Sequence, residues 1–238
     1  MTLLRLSEGT LPQKKRPDPL ASWNPQRQHA YGLSGALPTV HLLLDASGSM
    51  SAHRQDLLQG VNNIFLLLKR LLHPLSPVHC WGFNMHVFPL VRGKIGSLPF
   101  LAHREYRPEG GTRLFQALST LVQGVDTPGQ QVLITMTDGI DTQEVVGQNT
   151  VTSEIVHTLL RDRQDDGWLC VYLGAFPEAL AQGLACGFTE GNCLVFPSYA
   201  MAEAFQQLEK SLQKFFQAPA AQQKRLAQHG VFAPDTPS

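Results

Sequence analysis

Five oxygen-bearing side chains stand in three short segments of the 238-residue chain, at spacings that suit a metal site. They are Asp45, Ser47 and Ser49 in the segment DASGSM, Thr112 in EGGT, and Asp138 in TDG. The set contains no His or Cys, and an all-oxygen set suits Mg²⁺ or Mn²⁺ rather than zinc or copper. Two carboxylates and three neutral hydroxyls leave a coordination position for water or an outside oxygen. The residue types therefore predict a metal site that favours a carboxylate from a partner.

Each segment also has an ordinary structural interpretation. Ser and Thr before an apolar helix often cap that helix, and an Asp-Gly pair often forms a turn. The joint occurrence of all three segments, in this order, favours a shared site over three separate turns and caps. Asp141 follows the third segment closely. It either supports the site as a further acid or caps the loop that comes after it.

The elements that must position these segments follow from hydrophobic patterning. Apolar runs predict strands at 39–45, 78–88, 131–137, 168–174 and 193–196, with a second short strand around Val91. Periodic apolar residues predict helices at 57–72, 112–125, 150–163, 178–186 and 200–217. Continuously apolar strands that alternate with helices predict a doubly wound, Rossmann-like α/β fold with a mostly parallel sheet. The three segments should then meet at the carboxyl edge of that sheet, where such folds bind ligands.

Composition excludes several classes of function. The chain has 19 Lys and Arg against 19 Asp and Glu, which argues against a strongly basic nucleic-acid or membrane binder. No apolar run is long enough for a bilayer span, and the amino terminus lacks the pattern of a signal peptide. The four cysteines form no C-x-x-C pair and are interpreted as reduced core thiols. We therefore expect a cytoplasmic protein without membrane contact.

The domain organisation predicted from composition has three parts. Residues 1–37 are a Pro-rich, basic extension, residues 38–217 form the domain, and residues 218–238 form a tail with little apolar periodicity. The histidines His41, His79 and His86 lie in predicted strands, and we interpret them as sheet residues rather than ligands.

The ordered segments DASGSM, GGT and TDG give the chain a family resemblance. It resembles a von Willebrand factor type A (VWA) domain with an intact metal-ion-dependent adhesion site (MIDAS), over residues 38–217. The stretch VYLGAFPEALAQGLACGF is similar to stand-alone bacterial and phage members, which are intracellular. The resemblance implies about six strands, one of them short and antiparallel at an edge, helices on both faces, and Mg²⁺ at the top of the sheet.

The resemblance also implies a role for each residue of the site. Ser47, Ser49 and Thr112 would contact the metal directly or nearly so, and Asp45 and Asp138 would often act through water. The leading hypothesis is a non-enzymatic, Mg²⁺-dependent protein-binding module in an intracellular bacterial assembly. An acidic residue of the partner would complete the metal site.

Two alternatives remain open from the sequence. The first is a metal-dependent hydrolase or phosphatase with Asp45 as its nucleophile, although Ser47 stands where such enzymes usually carry a second acid. The second is a component of a nucleic-acid repair or ribonucleoprotein machine that uses the basic ends of the chain, where Lys14, Lys15 and Arg16 form a small basic cluster.

Overall fold

Residues 36–142 and 151–233 are described by a computed structural model of the chain. The strands are β1 (Thr39–Asp45), β2 (Pro77–Phe83), β3 (Val87–Lys94), β4 (Gln131–Thr137), β5 (Leu169–Gly174) and β6 (Cys193–Val195). The helices are α1 (Arg54–Leu71), α2 (Leu114–Gly124), α3 (Ser153–Asp165), α4 (Ala179–Ala185), α5 (Met201–Gln217) and α6 (Ala220–His229). The predicted extension 1–37 lies almost entirely outside the described residues.

The six strands form one sheet in the order β3-β2-β1-β4-β5-β6. The β2–β3 pair is antiparallel, and the other pairs are parallel. This arrangement confirms the α/β prediction of a mostly parallel sheet with one antiparallel edge strand. A bulge between Cys80 and Trp81 interrupts the β2–β3 register, and Trp81 pairs with Pro89 on the edge strand.

The predicted single strand 78–88 is wrong, because the chain reverses within it. The side chain of Asn84 accepts a hydrogen bond from the backbone N–H of His86 at 3.1 Å, and the Asn84 N–H donates to the His86 carbonyl at 3.0 Å. These bonds close a tight turn between β2 and β3, so His86 lies in a turn and not in a strand. The apolar pattern continues on both sides of the turn and therefore does not reveal it.

Helices cover both faces of the sheet, and this double cover explains why the central strands are apolar throughout. β1, β4 and β5 are buried along their full lengths. One core lies under α1 and α5, and the other lies under α2 and α3. The helices α1 and α5 pack closely at Gly60, where a Cβ atom would stand 2.1 Å from the Phe205 ring. Glycine is required there by the approach of the two helices.

The chain after α5 is more ordered than its weak periodicity predicts. Residues 220–229 form α6, and buried Asn192 joins this segment to the domain. The Asn192 amide donates to the Ala227 carbonyl at 2.8 Å and accepts from the Val231 N–H at 2.9 Å. Because Asn192 is distant in sequence from α6, the apolar spacing of residues 220–229 does not indicate these hydrogen bonds. Among the described residues, no helix combines the length and apolar character of a bilayer span.

Candidate metal centre

Asp45 ends β1 and is fully buried between two neighbouring strands. Its Oδ1 accepts the backbone N–H of Ser47 at 2.7 Å, and its Oδ2 accepts the hydroxyl of Thr137 at 2.5 Å. Thr137 is the last residue of β4, which lies beside β1. The Asp45 carbonyl accepts a hydrogen bond from the buried Tyr106 hydroxyl. These contacts fix both the carboxylate and the backbone at the carboxyl edge of the sheet.

A hydroxyl chain connects the first predicted segment to the third. The Ser47 and Ser49 hydroxyl oxygens lie 3.1 Å apart, and the Ser49 hydroxyl donates to Asp138 Oδ1 at 2.8 Å. Ser47 stands at the N-cap position of the 3₁₀ helix Gly48–His53 but makes no side-chain capping bond. Its hydroxyl is therefore directed to the shared site rather than to a helix end.

Thr112 joins the cluster through backbone contacts between loops. The Gly48 N–H donates to the Gly110 carbonyl at 2.9 Å, and Gly110 has a φ of 73°, which favours glycine. The Thr112 Oγ1 lies 3.4 Å from where a Cβ on Gly139 would stand. Helix α2 begins only at Leu114, so Thr112 does not cap it. All three predicted segments therefore meet at one edge of the sheet, and the alternative interpretation of Ser47 and Thr112 as helix caps is not supported.

Asp141 has a structural role in this loop. Its Oδ2 accepts the N–H of Phe115 at 2.8 Å, in the first turn of α2. The expected cap is thus present, but it serves α2 rather than the loop that follows Asp141. The side-chain oxygen of Gln182 accepts the Asp141 N–H at 2.9 Å, and its nitrogen donates to the Tyr172 hydroxyl at 3.0 Å and the Gly139 carbonyl at 3.3 Å.

Several positioning residues were not found from the sequence. Gln182 lies on α4, far along the chain from the motif segments, and Tyr106 lies in an irregular segment shortly before EGGT, where no local pattern marks it. Thr142 pairs with Thr112 through backbone and hydroxyl bonds of 2.9 to 3.1 Å. Only Thr137 carried a usable signal, since it directly precedes Asp138 at the end of a buried strand.

The electrostatics of the site favour a cation. Burial raises the pKa of the Asp45 carboxyl to about 6, against the hydrogen bonds from Thr137 and Ser47. The charge of Asp138 adds to this rise in pKa, so the two carboxylates repel each other. The His53 Nε2 atom lies 4.0 Å from Asp138 Oδ2 at the rim of the site.

The donors fit a hard divalent ion. The oxygens come from two carboxylates and three hydroxyls, which is the chemistry that Mg²⁺ and Mn²⁺ prefer. Within the described part of the chain, no group of three or more His, Cys, Asp or Glu side chains forms a different metal cluster. The three segments that carry the predicted oxygen donors lie together at the carboxyl ends of β1 and β4.

Comparison with known proteins finds similarity in structure only. The sequence matches no protein-family model, and no curated protein matches it. Proximal thread matrix protein 1 (PTMP1) from the mussel byssus is 17% identical, with a TM-score of 0.54 over 73% of this chain and 45% of that chain. The pilus adhesin SpaC from Lactobacillus rhamnosus GG is 15% identical, with a TM-score of 0.58 over 78% of this chain and 31% of that chain.

The third neighbour is itself described as a vWF domain. That domain, of the type V pili tip protein Mfa5 from Porphyromonas gingivalis, is 12% identical and has a TM-score of 0.57, over 76% of this chain and 96% of that chain. This chain has the VWA fold. It spans less than half of the length of PTMP1 and SpaC. A further structure of PTMP1, 14% identical with a TM-score of 0.53 over 74% of this chain and 48% of that chain, has a zinc-occupied MIDAS motif.

Proposed function

We propose that this VWA fold serves as a metal-dependent protein-binding module. Ser47, Ser49 and Thr112 would hold Mg²⁺ or Mn²⁺ directly, and Asp45 and Asp138 would hold it through water. The observation that carries this proposal is the hydrogen-bonded chain Ser47–Ser49–Asp138, which joins two separate loops at one edge of the sheet. An acidic side chain of a partner would complete the coordination.

The charge of the donor set supports an anionic partner. When bound, the ion supplies a Lewis-acidic position that the protein's own oxygens leave open. The Asp45 carboxylate accepts hydrogen bonds from the Ser47 N–H and the Thr137 hydroxyl. These bonds partly compensate its negative charge within the protein. Because the three direct ligands would be neutral hydroxyls and both aspartates would act through water, the open position of the ion would favour an anionic ligand such as a carboxylate.

The structural neighbours support the metal and the interaction in general terms. PTMP1 has zinc in its MIDAS motif, SpaC is a pilus adhesin, and Mfa5 is a pili tip protein. We extend to this chain only the general idea of a divalent ion that mediates contact. Mg²⁺ is our choice because the site has no nitrogen or sulfur ligand.

We also propose a bacterial cytoplasmic setting. All four cysteines are unpaired, and Cys80, Cys170 and Cys186 are buried. Burial raises the pKa of the Cys186 thiol to about 12 and raises the pKa values of Cys80 and Cys170 as well, so these thiols are unreactive core groups. This arrangement suits a reducing compartment.

The metal assignment is tested by calorimetric titration of the purified chain with Mg²⁺ and Mn²⁺. We expect saturable binding that Asp138→Ala abolishes, because this change removes the carboxylate that Ser49 contacts. Asp162→Ala is the matched control, since it removes an exposed acid from α3. Equal metal affinity in Asp138→Ala and in the unmodified chain would show that the site is misassigned.

The interaction is tested separately by partner capture with and without a chelator. Partners that need the metal should be retained by the unmodified chain and by Asp162→Ala in Mg²⁺, and lost in chelator or with Asp138→Ala. If partners are retained equally with and without chelator and with Asp138→Ala, binding is not mediated by the metal, even if the metal site itself is correct.

A further inference from the structure

An asparagine outside the three motif segments lies at the same edge of the sheet as the metal centre. Asn84 directly follows Phe83, the last residue of β2, and it is half-buried. Phe83 lies in register with Asp45 on the neighbouring strand β1. The parallel pairing of these two strands therefore brings Asn84 to the carboxyl edge where the three motif segments meet.

The side chain of Asn84 joins the β2–β3 turn to the segment that carries EGGT. Its amide nitrogen donates to the Glu109 carbonyl at 3.1 Å, and its amide oxygen accepts the His86 N–H at 3.1 Å. A carbonyl can only accept and a backbone N–H can only donate, so these two partners fix the orientation of the amide. The Asn84 carbonyl also accepts the Arg113 N–H at 3.0 Å, so Asn84 holds the segment 109–113 at both of its ends.

The same segment is bonded to the loop that follows β1. The Glu109 N–H donates to the Ala46 carbonyl at 2.8 Å, and the Gly48 N–H donates to the Gly110 carbonyl at 2.9 Å. Ala46 and Gly48 stand on either side of Ser47 in the chain. These bonds place the EGGT segment, and with it the predicted threonine ligand, beside the serines of DASGSM.

The EGGT segment needs restraints from outside because its central residues are Gly110 and Gly111. Glycine has more conformational freedom than any other residue, and Gly110 has a φ of 73°. A hydrogen bond from a side chain at the end of a strand restricts the segment to one position relative to the sheet. Groups that orient metal ligands in this way commonly contribute about 10- to 100-fold to metal affinity.

We propose that Asn84 is a positioning residue of the metal centre. Through its bond to the Glu109 carbonyl it keeps Thr112 in place beside Ser47 and Ser49, and it acts through this segment rather than as a ligand. The inference rests on the metal-dependent function proposed above. It adds to that function a residue, outside the three motif segments, on which the affinity for the ion depends.

Asn84→Asp tests this role because it separates the two side-chain bonds. The carboxylate still accepts the His86 N–H, but at pH 7.5 it has no proton to donate to the Glu109 carbonyl. Calorimetric titration of the full chain should show Mg²⁺ affinity about tenfold lower than in the unmodified chain. A negative charge near the site would by itself strengthen cation binding, so the electrostatic and positioning effects have opposite signs.

Amide hydrogen exchange in chelator locates the change in the absence of the ion. In Asn84→Asp, the N–H groups of Glu109 and Gly48 should exchange about tenfold faster, because the bonds between the EGGT segment and the loop after β1 open more often. The His86 N–H should stay as protected as in the unmodified chain, since its acceptor is kept.

Asn192→Ala is the matched control for loss of stability. Asn192 also bridges a backbone carbonyl and a backbone N–H, but it does so beside the edge strand β6. It should lower stability and leave Mg²⁺ affinity unchanged. If Asn84→Asp does not fold, Asn84→Ala, which adds no charge, should weaken Mg²⁺ binding about tenfold in its place.

The outcomes distinguish this inference from the function on which it rests. Mg²⁺ affinity in the folded Asn84 variant equal to that of the unmodified chain, or unaltered exchange at Glu109, would overturn the role of Asn84 and leave the metal site in place. An equal loss of Mg²⁺ affinity in Asn192→Ala would also overturn it, because any loss of stability would then suffice. Absence of Mg²⁺ binding by the unmodified chain would overturn both proposals.

Discussion

At the scale of single residues, the two aspartates differ in what they contribute. Asp45 is buried and each of its carboxylate oxygens accepts one protein hydrogen bond, so it organises the loop as well as carrying charge. Asp138 accepts the Ser49 hydroxyl and lies near His53 at the rim. A substitution that keeps the shape of the Asp45 side chain but removes its charge can therefore distinguish its structural role from its electrostatic role.

Asp45→Asn should weaken Mg²⁺ binding about 10- to 100-fold while preserving the fold. The amide oxygen still accepts the Ser47 N–H, and the amide nitrogen can donate to Thr137, whose own hydroxyl lies 3.1 Å from the Gly139 carbonyl. Calorimetry measures the affinity, and thermal melting without metal checks the fold. Because a buried charge is lost, the metal-free melting temperature at pH 7.5 should not fall. Unchanged Mg²⁺ affinity would mean that the charge of Asp45 does not serve the metal.

Mg²⁺ affinity should decrease as pH falls below about 6. Burial raises the pKa of Asp45 to about 6 in the metal-free protein, and binding needs the ionised carboxylate. For a carboxyl with a raised pKa, the folded state binds more protons than the unfolded state. The contribution of Asp45 to metal-free stability is therefore present at low pH and lost as pH rises from about 4 to about 6.

Titrations at pH 5.0 and pH 7.5 check this dependence. The unmodified chain should bind Mg²⁺ about tenfold more weakly at the lower pH, which corresponds to one proton displaced over the pH unit below a pKa of about 6. Asp45→Asn should show a smaller difference between the two conditions. An identical pH response in both proteins would assign the effect to another group.

At the scale of elements, hydrophobic patterning carries most of the information. Fully buried strands and broad helix faces leave strong periodic signals, so the sheet and its covering helices could be predicted from the sequence. The turn at residues 84–86 and helix α6 could not, because each depends on hydrogen bonds of one asparagine, Asn84 or Asn192. A single polar side chain does not alter the apolar pattern around it.

The candidate site also has features that could be predicted from the sequence and features that could not. The convergence of the three motif segments could be predicted because they follow strand ends, and parallel strands bring their carboxyl ends to one edge. The residues that position them, such as Tyr106 and Gln182, act through contacts across 61 and 43 positions of sequence. Contacts at such separations are set by the packing of whole elements, and one sequence holds no local sign of them.

The packing of α1 on α5 predicts unequal effects for two helical glycines. Gly60→Ala should destabilise the domain by about 1–3 kcal/mol, because its Cβ would stand 2.1 Å from the Phe205 ring. Gly124→Ala, at the end of α2, meets nothing within 4 Å and should stabilise by up to about 1 kcal/mol. Urea denaturation measures both changes. Equal stabilities of the two variants would contradict the close approach of α1 and α5.

At the scale of the whole molecule, the last described helix is joined to the far edge of the sheet. The turn that holds Asn192 directly precedes β6, and its amide bridges α6 and the residue Val231 that follows it. We therefore expect the segment after α5 to unfold together with the rest of the domain. Loss of the Asn192 hydrogen bonds should therefore lower the stability of the entire domain and not of α6 alone.

Asn192→Ala should lower the free energy of unfolding by about 1–3 kcal/mol, since the Ala227 carbonyl and the Val231 N–H lose a buried partner. Urea denaturation followed by tryptophan fluorescence measures the loss, and amide hydrogen exchange locates it. Asn63→Ala, at an exposed position of α1, is the matched control. Unaltered stability in Asn192→Ala would show that α6 does not belong to the folded unit.

The two edge strands of the sheet limit how another polypeptide chain can bind. On one side, β3 carries Pro89, which has no N–H to donate, and ends with Arg92 and Lys94. On the other side, β6 has only three residues. Among the described residues, Pro89 interrupts the backbone donors of one edge strand and the other edge strand is short, so a strand of another chain would gain little by extending the sheet. Under the proposed function, a partner protein would therefore contact the carboxyl end of the sheet, and its side chains rather than its backbone would determine binding.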